Sequence, residues 1–238
     1  LSGCNFRLAG KDWGVVFLLS LLRAVTSFSL IIAYQNIASG VASTIHFMYP
    51  LAVSLAMMFF FHEKKSLLVM LAVLMSLFGA ALLSSGELEA KSGDTIVGLV
   101  AACISVFSYG GYIIGVRTTR AAQINSTVLT CYVMGMGAVF YLIGAMATFG
   151  LHLVTDGYIW LIILGLALPA TAISNITLVR AIKYAGPTLT SILGAMEPLT
   201  AVVIGVFVFK ELFTLNSAIG ILLILLAVGM VVFRKQKS

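Results

Sequence analysis

Eight apolar stretches, each about as long as a membrane-spanning helix, take up most of this 238-residue chain. A helix needs about 20 apolar residues to cross the roughly 30 Å of hydrocarbon in a bilayer. Continuous apolar runs of this length form helices rather than barrel strands, which are shorter and alternate. The sequence therefore predicts an all-α membrane protein with eight transmembrane helices, at residues 13–34, 39–61, 67–84, 95–116, 127–149, 158–180, 187–209 and 215–233.

The composition agrees with a membrane protein. Hydrophobic residues make up 61% of the chain and charged residues 9%, whereas soluble domains carry about 25% charged residues. The net charge of +6 comes without a basic patch interleaved with aromatics, so nucleic acid is not an expected partner. The three cysteines show neither zinc-site nor disulfide spacing, and we expect buried free thiols at Cys4, Cys103 and Cys131. No metal or cofactor is expected.

The distribution of Lys and Arg predicts the orientation in the membrane. Eleven of these residues fall in the segments on one side of the eight spans, and two, Lys91 and Lys210, fall on the other. Cytoplasmic segments carry the excess of basic residues, so both termini are expected in the cytoplasm. The eleven residues are Arg7, Lys11, Lys64, Lys65, Arg117, Arg120, Arg180, Lys183, Arg234, Lys235 and Lys237.

An internal repeat relates two halves of the chain. The segment Met48–Glu63 returns 148 residues later as Met196–Glu211, with a Pro and a Glu 13 residues apart in both copies. This coincidence carries weight because the chain has only four Pro and five Glu. An internal repeat is identified before other features are interpreted, because it determines the architecture. We assign residues 1–88 to the first copy, with three spans, and residues 89–238 to the second copy, with five.

The two copies are expected to lie upside-down relative to each other. The proline spans are the second and the seventh, and an odd number of crossings between equivalent spans reverses their direction. Inverted repeats are a common architecture of secondary transporters, which bind substrate near the membrane midplane. Because the first copy has two spans fewer than the second, we expect two further helices upstream of Leu1.

The repeated motif resembles a known family. AYQNIASGVASTIHFMYPLAVSL…FFFHE and RAIKYAGPTLTSILGAMEPLTAVVIGVFVFKE resemble EamA-type transporters of the drug/metabolite transporter superfamily. The resemblance implies ten helices in two inverted five-helix repeats, of which this chain lacks the first two. It also implies a small-molecule metabolite as the substrate and a bacterial cytoplasmic membrane as the location. It does not identify the substrate, the direction of transport or the oligomeric state.

Two charged residues fall near the middle of predicted spans. Each costs about 2.5–3.5 kcal/mol at the bilayer centre, and such residues commonly serve function. We expect Glu197 to accept a proton or recognise a cation. We expect Arg23 to anchor an anionic group such as a carboxylate. A structural ion pair between the two residues is the alternative.

Polar side chains recur at equivalent positions of the repeat. Arg23, Thr26 and Ser27 correspond to Thr171, Ser174 and Asn175, and both sets share one helix face. Such faces point toward protein or water rather than lipid, either to bind substrate or to form interhelical hydrogen bonds. Further candidates for binding or coupling, with packing as the alternative role, are His46, Tyr49, Ser105, Ser108 and Tyr112.

Prolines inside spans are candidate hinges, because proline removes a backbone donor and kinks a helix. They are Pro50, Pro169 and Pro198. Enzyme motifs and nucleotide-binding motifs are absent from the sequence. The pattern thus favours a non-enzymatic secondary transporter or exporter of small organic metabolites that works by alternating access. Its coupling to protons is left open. A membrane scaffold or receptor and an integral-membrane enzyme are the alternatives.

Overall fold

The structure is a computed structural model that describes residues 6–63, 67–84, 93–148, 156–194, 196–207 and 214–236. All regular secondary structure in these ranges is helical. The α-helices are α1 (Trp13–Asn36), α2 (Ser39–His46), α3 (Tyr49–Phe60), α4 (Leu67–Ser84), α5 (Thr95–Thr118), α6 (Ser126–Thr148), α7 (Gly157–Gly165), α8 (Ser174–Ala185), α9 (Pro187–Leu193), α10 (Met196–Phe207) and α11 (Leu215–Gln236). Short 3₁₀ turns occupy Gly10–Asp12 and Arg120–Gln123.

Several helices have the length and composition of membrane spans. Within the described ranges, four helical segments are long and apolar enough to cross a bilayer, and two shorter apolar helices lie at Leu67–Leu82 and Ala218–Met230. Large apolar side chains are exposed on these helices; Phe60 and Phe107, for example, are 77% and 73% exposed. An apolar exterior is what a lipid environment requires. The four longer segments are Gly10–Asn36, Ser39–Phe60, Thr95–Thr118 and Ser126–Gly144.

The second predicted span is interrupted by a tight turn at Phe47 and Met48, between helices α2 and α3. Helix α2 ends at His46 and α3 begins at Tyr49, one residue before Pro50. Across the break, the Met48 amide bonds to the Ile45 carbonyl at 2.9 Å, a tighter turn than in an α-helix. Pro50 cannot donate a hydrogen bond and its ring crowds the preceding turn, so the α-helical ladder stops there.

The seventh predicted span is also broken, close to the equivalent place. Helix α9 ends at Leu193, α10 begins at Met196, and the Glu197 amide bonds to the Gly194 carbonyl at 2.9 Å. Adding 148 to the first break, between His46 and Tyr49, gives positions 194 and 197. The same offset relates the first residues of α4 and α11, Leu67 and Leu215.

The sixth predicted span contains a π-helical segment. Residues Leu166–Ile173 between α7 and α8 form this wider turn. Pro169 lies in the segment and removes one backbone donor, which disfavours regular α-helical bonding there. π-Helical turns inside helices occur frequently at functional sites.

The chain forms two compact units. Unit 1 consists of Leu1–Ala24 and Gly115–Gly186, and unit 2 consists of Val25–Ile114 and Pro187–Ser238. Helices α1 and α5 therefore contribute to both. The units are defined by contacts and differ from the sequence repeats. In unit 1, α6 packs on α8, and Trp13 stacks edge-on against Tyr132 with ring centroids 5.4 Å apart.

Unit 2 is organised around helix α4, which packs along α11. At their closest approach, a Cβ added to Gly79 would lie 2.8 Å from the Gly220 carbonyl oxygen, so no larger side chain fits. A core of Ala72, Val73, Ile192 and Ala227 joins α4, α9 and α11. A second core of small residues joins the ends of α1 and α2 to α5.

The expectation of buried cysteines is wrong for the two that can be checked. Cys103 and Cys131 are free thiols, but both are exposed. In a membrane protein an apolar environment is available on the lipid-facing surface, so an apolar sequence context does not imply burial in protein. Cys4 lies outside the described residues.

Candidate functional site

Arg23 of α1 is held by an amide in unit 1. Its Nη2 donates to Oδ1 of Asn175 at 3.1 Å. Asn175 is buried, 6% exposed, and is the second residue of α8. Arg23 itself is half-buried.

The other end of the Asn175 amide is bound to the π-helical turn. Asn175 Nδ2 donates to the Thr171 carbonyl at 2.7 Å. The same carbonyl accepts from the backbone amide of Ser174 and from its hydroxyl, the latter at 3.3 Å. The Thr171 carbonyl cannot donate and the Arg23 guanidinium cannot accept. The contacts with these two groups therefore fix which end of the Asn175 amide is the oxygen and which is the nitrogen. The Thr171 side chain is exposed.

These contacts connect equivalent positions of the repeat. Arg23 and Thr171 are 148 residues apart, and the Asn175 amide binds the side chain of the first and the carbonyl of the second. Ser27, the counterpart of Asn175, is half-buried. The sequence placed these residues on two corresponding polar faces, and the structure brings Arg23, Thr171 and Asn175 together.

A second polar cluster lies in unit 2, where His46 meets α5. Nδ1 of His46 lies 3.0 Å from the Ser105 hydroxyl, which itself donates to the Ala102 carbonyl at 2.6 Å. The Ser105 hydroxyl therefore lies between the His46 ring and the backbone of its own helix, and the tautomer of His46 decides which atom of the Nδ1–hydroxyl pair donates.

The next turn of α5 repeats this arrangement. The Ser108 hydroxyl donates to the Ile104 carbonyl at 2.8 Å, and it lies 2.9 Å from the Thr26 hydroxyl of α1. Either hydroxyl of the Ser108–Thr26 pair can be the donor. Both serines are thus hydrogen-bonded to a carbonyl of their own helix and to a side chain of another helix.

Aromatic rings surround His46. Its ring centroid lies 5.5 Å from Tyr49 and 5.4 Å from Tyr109. Tyr49 and Tyr109 form an edge-to-face pair at 4.7 Å, and Tyr109 stacks on Tyr112 at 6.3 Å. All three tyrosines are buried. Edge-to-face pairs at this spacing are favourable, so Tyr49 and Tyr109 stabilise each other beside the His46 ring.

Tyr49 also links the two helix breaks. Its hydroxyl lies against Gly194, where any Cβ would collide with it. Gly194 is one turn before Glu197, the symmetry counterpart of Tyr49. The Glu197 side chain is exposed and lies in the first turn of α10, while Pro198 and Pro50 are buried. The side chain of Pro169 lies outside the described part of the chain.

Some contacts were not anticipated from the sequence. Glu63, which follows the second predicted span, accepts a 2.5 Å hydrogen bond from the Thr188 hydroxyl of α9. Gly194 was not singled out either, although its register relative to His46 could have indicated it. Tyr109, next to Ser108 on α5, also contacts the His46 ring. Glu211 lies outside the described residues.

The two clusters, one in each unit, offer groups for binding and for proton chemistry. Within the described ranges, no group of three or more His, Cys, Asp or Glu side chains is positioned to hold a metal ion. The available groups are a guanidinium in unit 1, and an imidazole, tyrosine rings and hydroxyls in unit 2. Polar groups inside apolar helices are typical of substrate pathways in membrane proteins.

Fold and polar interior together define a helical, multi-pass membrane protein. The chain belongs to the EamA-like transporter family, whose sequence profile matches residues 96–233. It is therefore a membrane transporter of the drug/metabolite superfamily. One crystal structure of another protein superposes with a TM-score of 0.81 at 19% identity, covering 98% of this chain and 80% of the other. At that identity the likeness establishes the fold alone. No curated protein matched the sequence.

Proposed function

We propose that this protein is a secondary transporter that moves a small organic metabolite by alternating access between two inverted repeats. The observation that carries the proposal is the pair of helix breaks, between His46 and Tyr49 and between Leu193 and Met196, which lie within one residue of the 148-residue repeat offset. Discontinuous helices at corresponding positions of two repeats mark the binding site in secondary transporters. The family match over residues 96–233 supports the assignment of the second copy to residues 89–238.

The broken helices supply the parts that a transport site needs. At each break, backbone groups leave the helical ladder in a span that also carries polar side chains. The first break presents His46 and Tyr49, and the second presents Glu197. Eight spans with cytoplasmic termini in a bacterial cytoplasmic membrane complete the proposed arrangement.

Transport by reconstituted protein tests the proposal. Full-length protein in proteoliposomes should take up at least one compound from a panel of radiolabelled amino acids, nucleosides and sugars. Gly194→Val should abolish uptake because its side chain collides with Tyr49 at the meeting point of the breaks. Uptake no greater than in empty liposomes across the panel contradicts the proposal.

Proton coupling is proposed to use Glu197. A carboxylate next to a helix break can bind a proton in one state and release it in the other. Glu197→Gln keeps the shape and removes the charge, so gradient-driven accumulation should be lost while the protein still folds. Glu63→Gln is the matched control, because this exposed carboxylate binds Thr188 and lies at the end of a predicted span. Undiminished accumulation by Glu197→Gln under an imposed pH gradient assigns the residue a structural role.

Orientation is tested by labelling. In a background without native cysteines, a single cysteine at Ser92 should react with an impermeant maleimide in intact cells, and one at Ser238 should not. The reverse pattern contradicts cytoplasmic termini.

A further inference from the structure

We propose that unit 1 carries a binding surface for the headgroup of an anionic phospholipid, at the end of the unit where α5 and α8 finish. The surface consists of four basic residues, which we call the basic cluster: Arg117, Arg120, Arg180 and Lys183. The inference goes beyond the proposed transport function and does not depend on which compound the protein transports.

Two hydrogen bonds bring the ends of α5 and α8 together. Arg117, in the last turn of α5, donates from Nη1 to the Lys183 carbonyl at 2.6 Å. Lys183, in the last turn of α8, donates from Nζ to the carbonyl of Ile124, which directly follows the 3₁₀ turn Arg120–Gln123. All these residues belong to unit 1. The basic cluster is therefore assembled by contacts between segments that are distant in sequence.

Arg120 and Arg180 are the members of the basic cluster that can bind a ligand. Both side chains are exposed, and neither has a hydrogen-bond or ion-pair partner in the part of the chain that the structure describes. Residues 115–125 and 174–186 contain no Asp or Glu. The two hydrogen bonds that hold Arg117 and Lys183 go to neutral backbone carbonyls. The positive charge of the cluster is thus not cancelled by a carboxylate of its own segments.

Aromatic side chains near this end of unit 1 favour a lipid over a soluble anion. Tyr184, next to Lys183, is 86% exposed. In α6, which begins shortly after the 3₁₀ turn, Tyr132 stacks edge-on against Trp13 and donates from its hydroxyl to the Phe6 carbonyl. Trp13 is 46% exposed. Trp and Tyr are enriched at the membrane–water interface, where their rings lie at the level of the headgroups. The basic cluster therefore lies where a bilayer presents phosphate groups.

The chemistry of the two exposed arginines fits a phosphodiester. A guanidinium is planar and can donate two parallel N–H groups to phosphate oxygens. In phosphatidylcholine the choline cation balances the phosphate charge within the headgroup, whereas phosphatidylglycerol keeps a net negative charge. Basic residues near an anionic membrane surface each contribute about 1 kcal/mol of attraction. The basic cluster should therefore distinguish two lipids of similar size by their net charge.

Lipid binding by the purified full chain in a neutral detergent tests the inference. Native mass spectrometry measures the dissociation constants for phosphatidylglycerol and for phosphatidylcholine with identical acyl chains. Phosphatidylglycerol should bind about five- to thirtyfold more tightly, which corresponds to one or two charges at about 1 kcal/mol each. Phosphatidylglycerol should also raise the thermal unfolding temperature more than phosphatidylcholine does. Equal dissociation constants for the two lipids overturn the inference.

A pair of double variants separates this surface from the general charge of the chain. Arg120→Gln with Arg180→Gln removes both exposed guanidinium groups and leaves the contact between Arg117 and Lys183 in place, so the two lipids should bind with nearly equal affinity. Arg234→Gln with Lys235→Gln is the control. It removes the same charge from α11 in unit 2 and should keep the preference for phosphatidylglycerol.

The control matters because basic residues on one side of the membrane are also expected from orientation alone. Equal loss of the preference in both double variants would assign it to overall charge and overturn the inference. If the first double variant fails to fold, Arg120→Gln and Arg180→Gln as single variants should each lose part of the preference. A preference that neither single variant reduces also overturns the inference.

Soluble phosphates distinguish a lipid headgroup from a free anion. Inorganic phosphate and glycerol phosphate are added to the protein with phosphatidylglycerol bound. Neither should displace the lipid, because they lack the acyl chains that pack on the apolar exterior. Displacement by either compound at a concentration similar to that of the lipid would assign the surface to a soluble phosphate and overturn the lipid proposal. These measurements require no transport, so their outcome is independent of the proposed function.

Discussion

The hydroxyl of Tyr49 lies directly against Gly194, so the first residue after one helix break touches a residue within the other. A glycine is required at this position because no Cβ fits beside the Tyr49 hydroxyl. Backbone conformation is not the reason, since Gly194 does not adopt a positive φ. The Tyr49 ring is in turn held by His46 and Tyr109. A change at Gly194 is therefore transmitted to the polar cluster on α5.

Gly194→Ala should destabilise the protein by about 1–3 kcal/mol, the usual cost of overpacking. The clash is with the Tyr49 hydroxyl, so Tyr49→Phe in the same chain should recover part of the loss. Thermal unfolding in detergent measures both. Gly135→Ala is the control, since nothing lies within 4 Å of a Cβ at that position of α6. If Tyr49→Phe gives no recovery, the described contact is not the cause.

Gly79→Ala should separate α4 from α11. An added methyl group would meet the Gly220 carbonyl oxygen at 2.8 Å, and a backbone atom cannot move aside as a flexible side chain does. We expect a loss of about 1–3 kcal/mol. Gly137→Ala in α6 meets nothing within 4 Å and should be neutral or stabilising. Equal melting temperatures for the two variants would contradict the close approach.

Ser54→Ala should leave stability unchanged or raise it. Among the described residues, the buried Ser54 hydroxyl has no hydrogen-bond partner, and an unsatisfied buried polar group costs about 1–3 kcal/mol. Ser76→Ala is the matched control, because that equally buried hydroxyl donates to the Val73 carbonyl at 2.9 Å. Ser54→Ala should therefore melt higher than Ser76→Ala, and the opposite order would show that Ser54 has a partner.

Because Lys183 is partly buried, we expect the free energy of unfolding to rise at alkaline pH. It lies beyond the predicted span 158–180, where its Nζ donates to the Ile124 carbonyl and its own carbonyl accepts from Arg117 at 2.6 Å. Burial lowers the pKa of Lys183 below its ordinary 10.5. Between the lowered pKa and 10.5 the unfolded chain binds more protons than the folded one, so stability increases with pH in that window.

Denaturant unfolding of wild type and Lys183→Gln from pH 8 to 11 measures this effect. The difference between them should move in favour of wild type as pH rises toward 10.5, then level off. Lys11→Gln, at an exposed position, controls for the general effect of removing a positive charge. A difference that is constant with pH would contradict burial of the ammonium group.

The positions of the helices could be predicted from the sequence because bilayer thickness sets their length. The predicted span 13–34 ends two residues before α1, which is Trp13–Asn36. The predicted span 67–84 has the same bounds as α4, which is Leu67–Ser84. The extent of the disruption at Pro50 and Pro198 could not be predicted. Proline permits anything from a bend to a complete break, and packing of the flanking side chains decides between them.

Side-chain partners were predicted less well than helix faces. Spacing placed Thr171 and Asn175 on one face, and repeat symmetry associated that face with Arg23. The Asn175 amide contacts both Arg23 and the Thr171 carbonyl, and this arrangement depends on the π-helical turn. The sequence indicates that turn only through Pro169. The contact between Tyr49 and Gly194 depends on which helices approach each other, and a glycine in an apolar run gives no sign of that.

The contact between Arg23 and Asn175 spans 152 residues of sequence, which has a consequence for biosynthesis. Helix α1 is made before α8 and enters the membrane with an arginine near its centre, at a cost of about 2.5–3.5 kcal/mol. At about 5–20 residues per second, α8 is synthesised about 8–30 s later. Membrane insertion of α1 and completion of unit 1 are therefore separate events, and a nascent chain arrested before residue 174 holds the arginine without its amide.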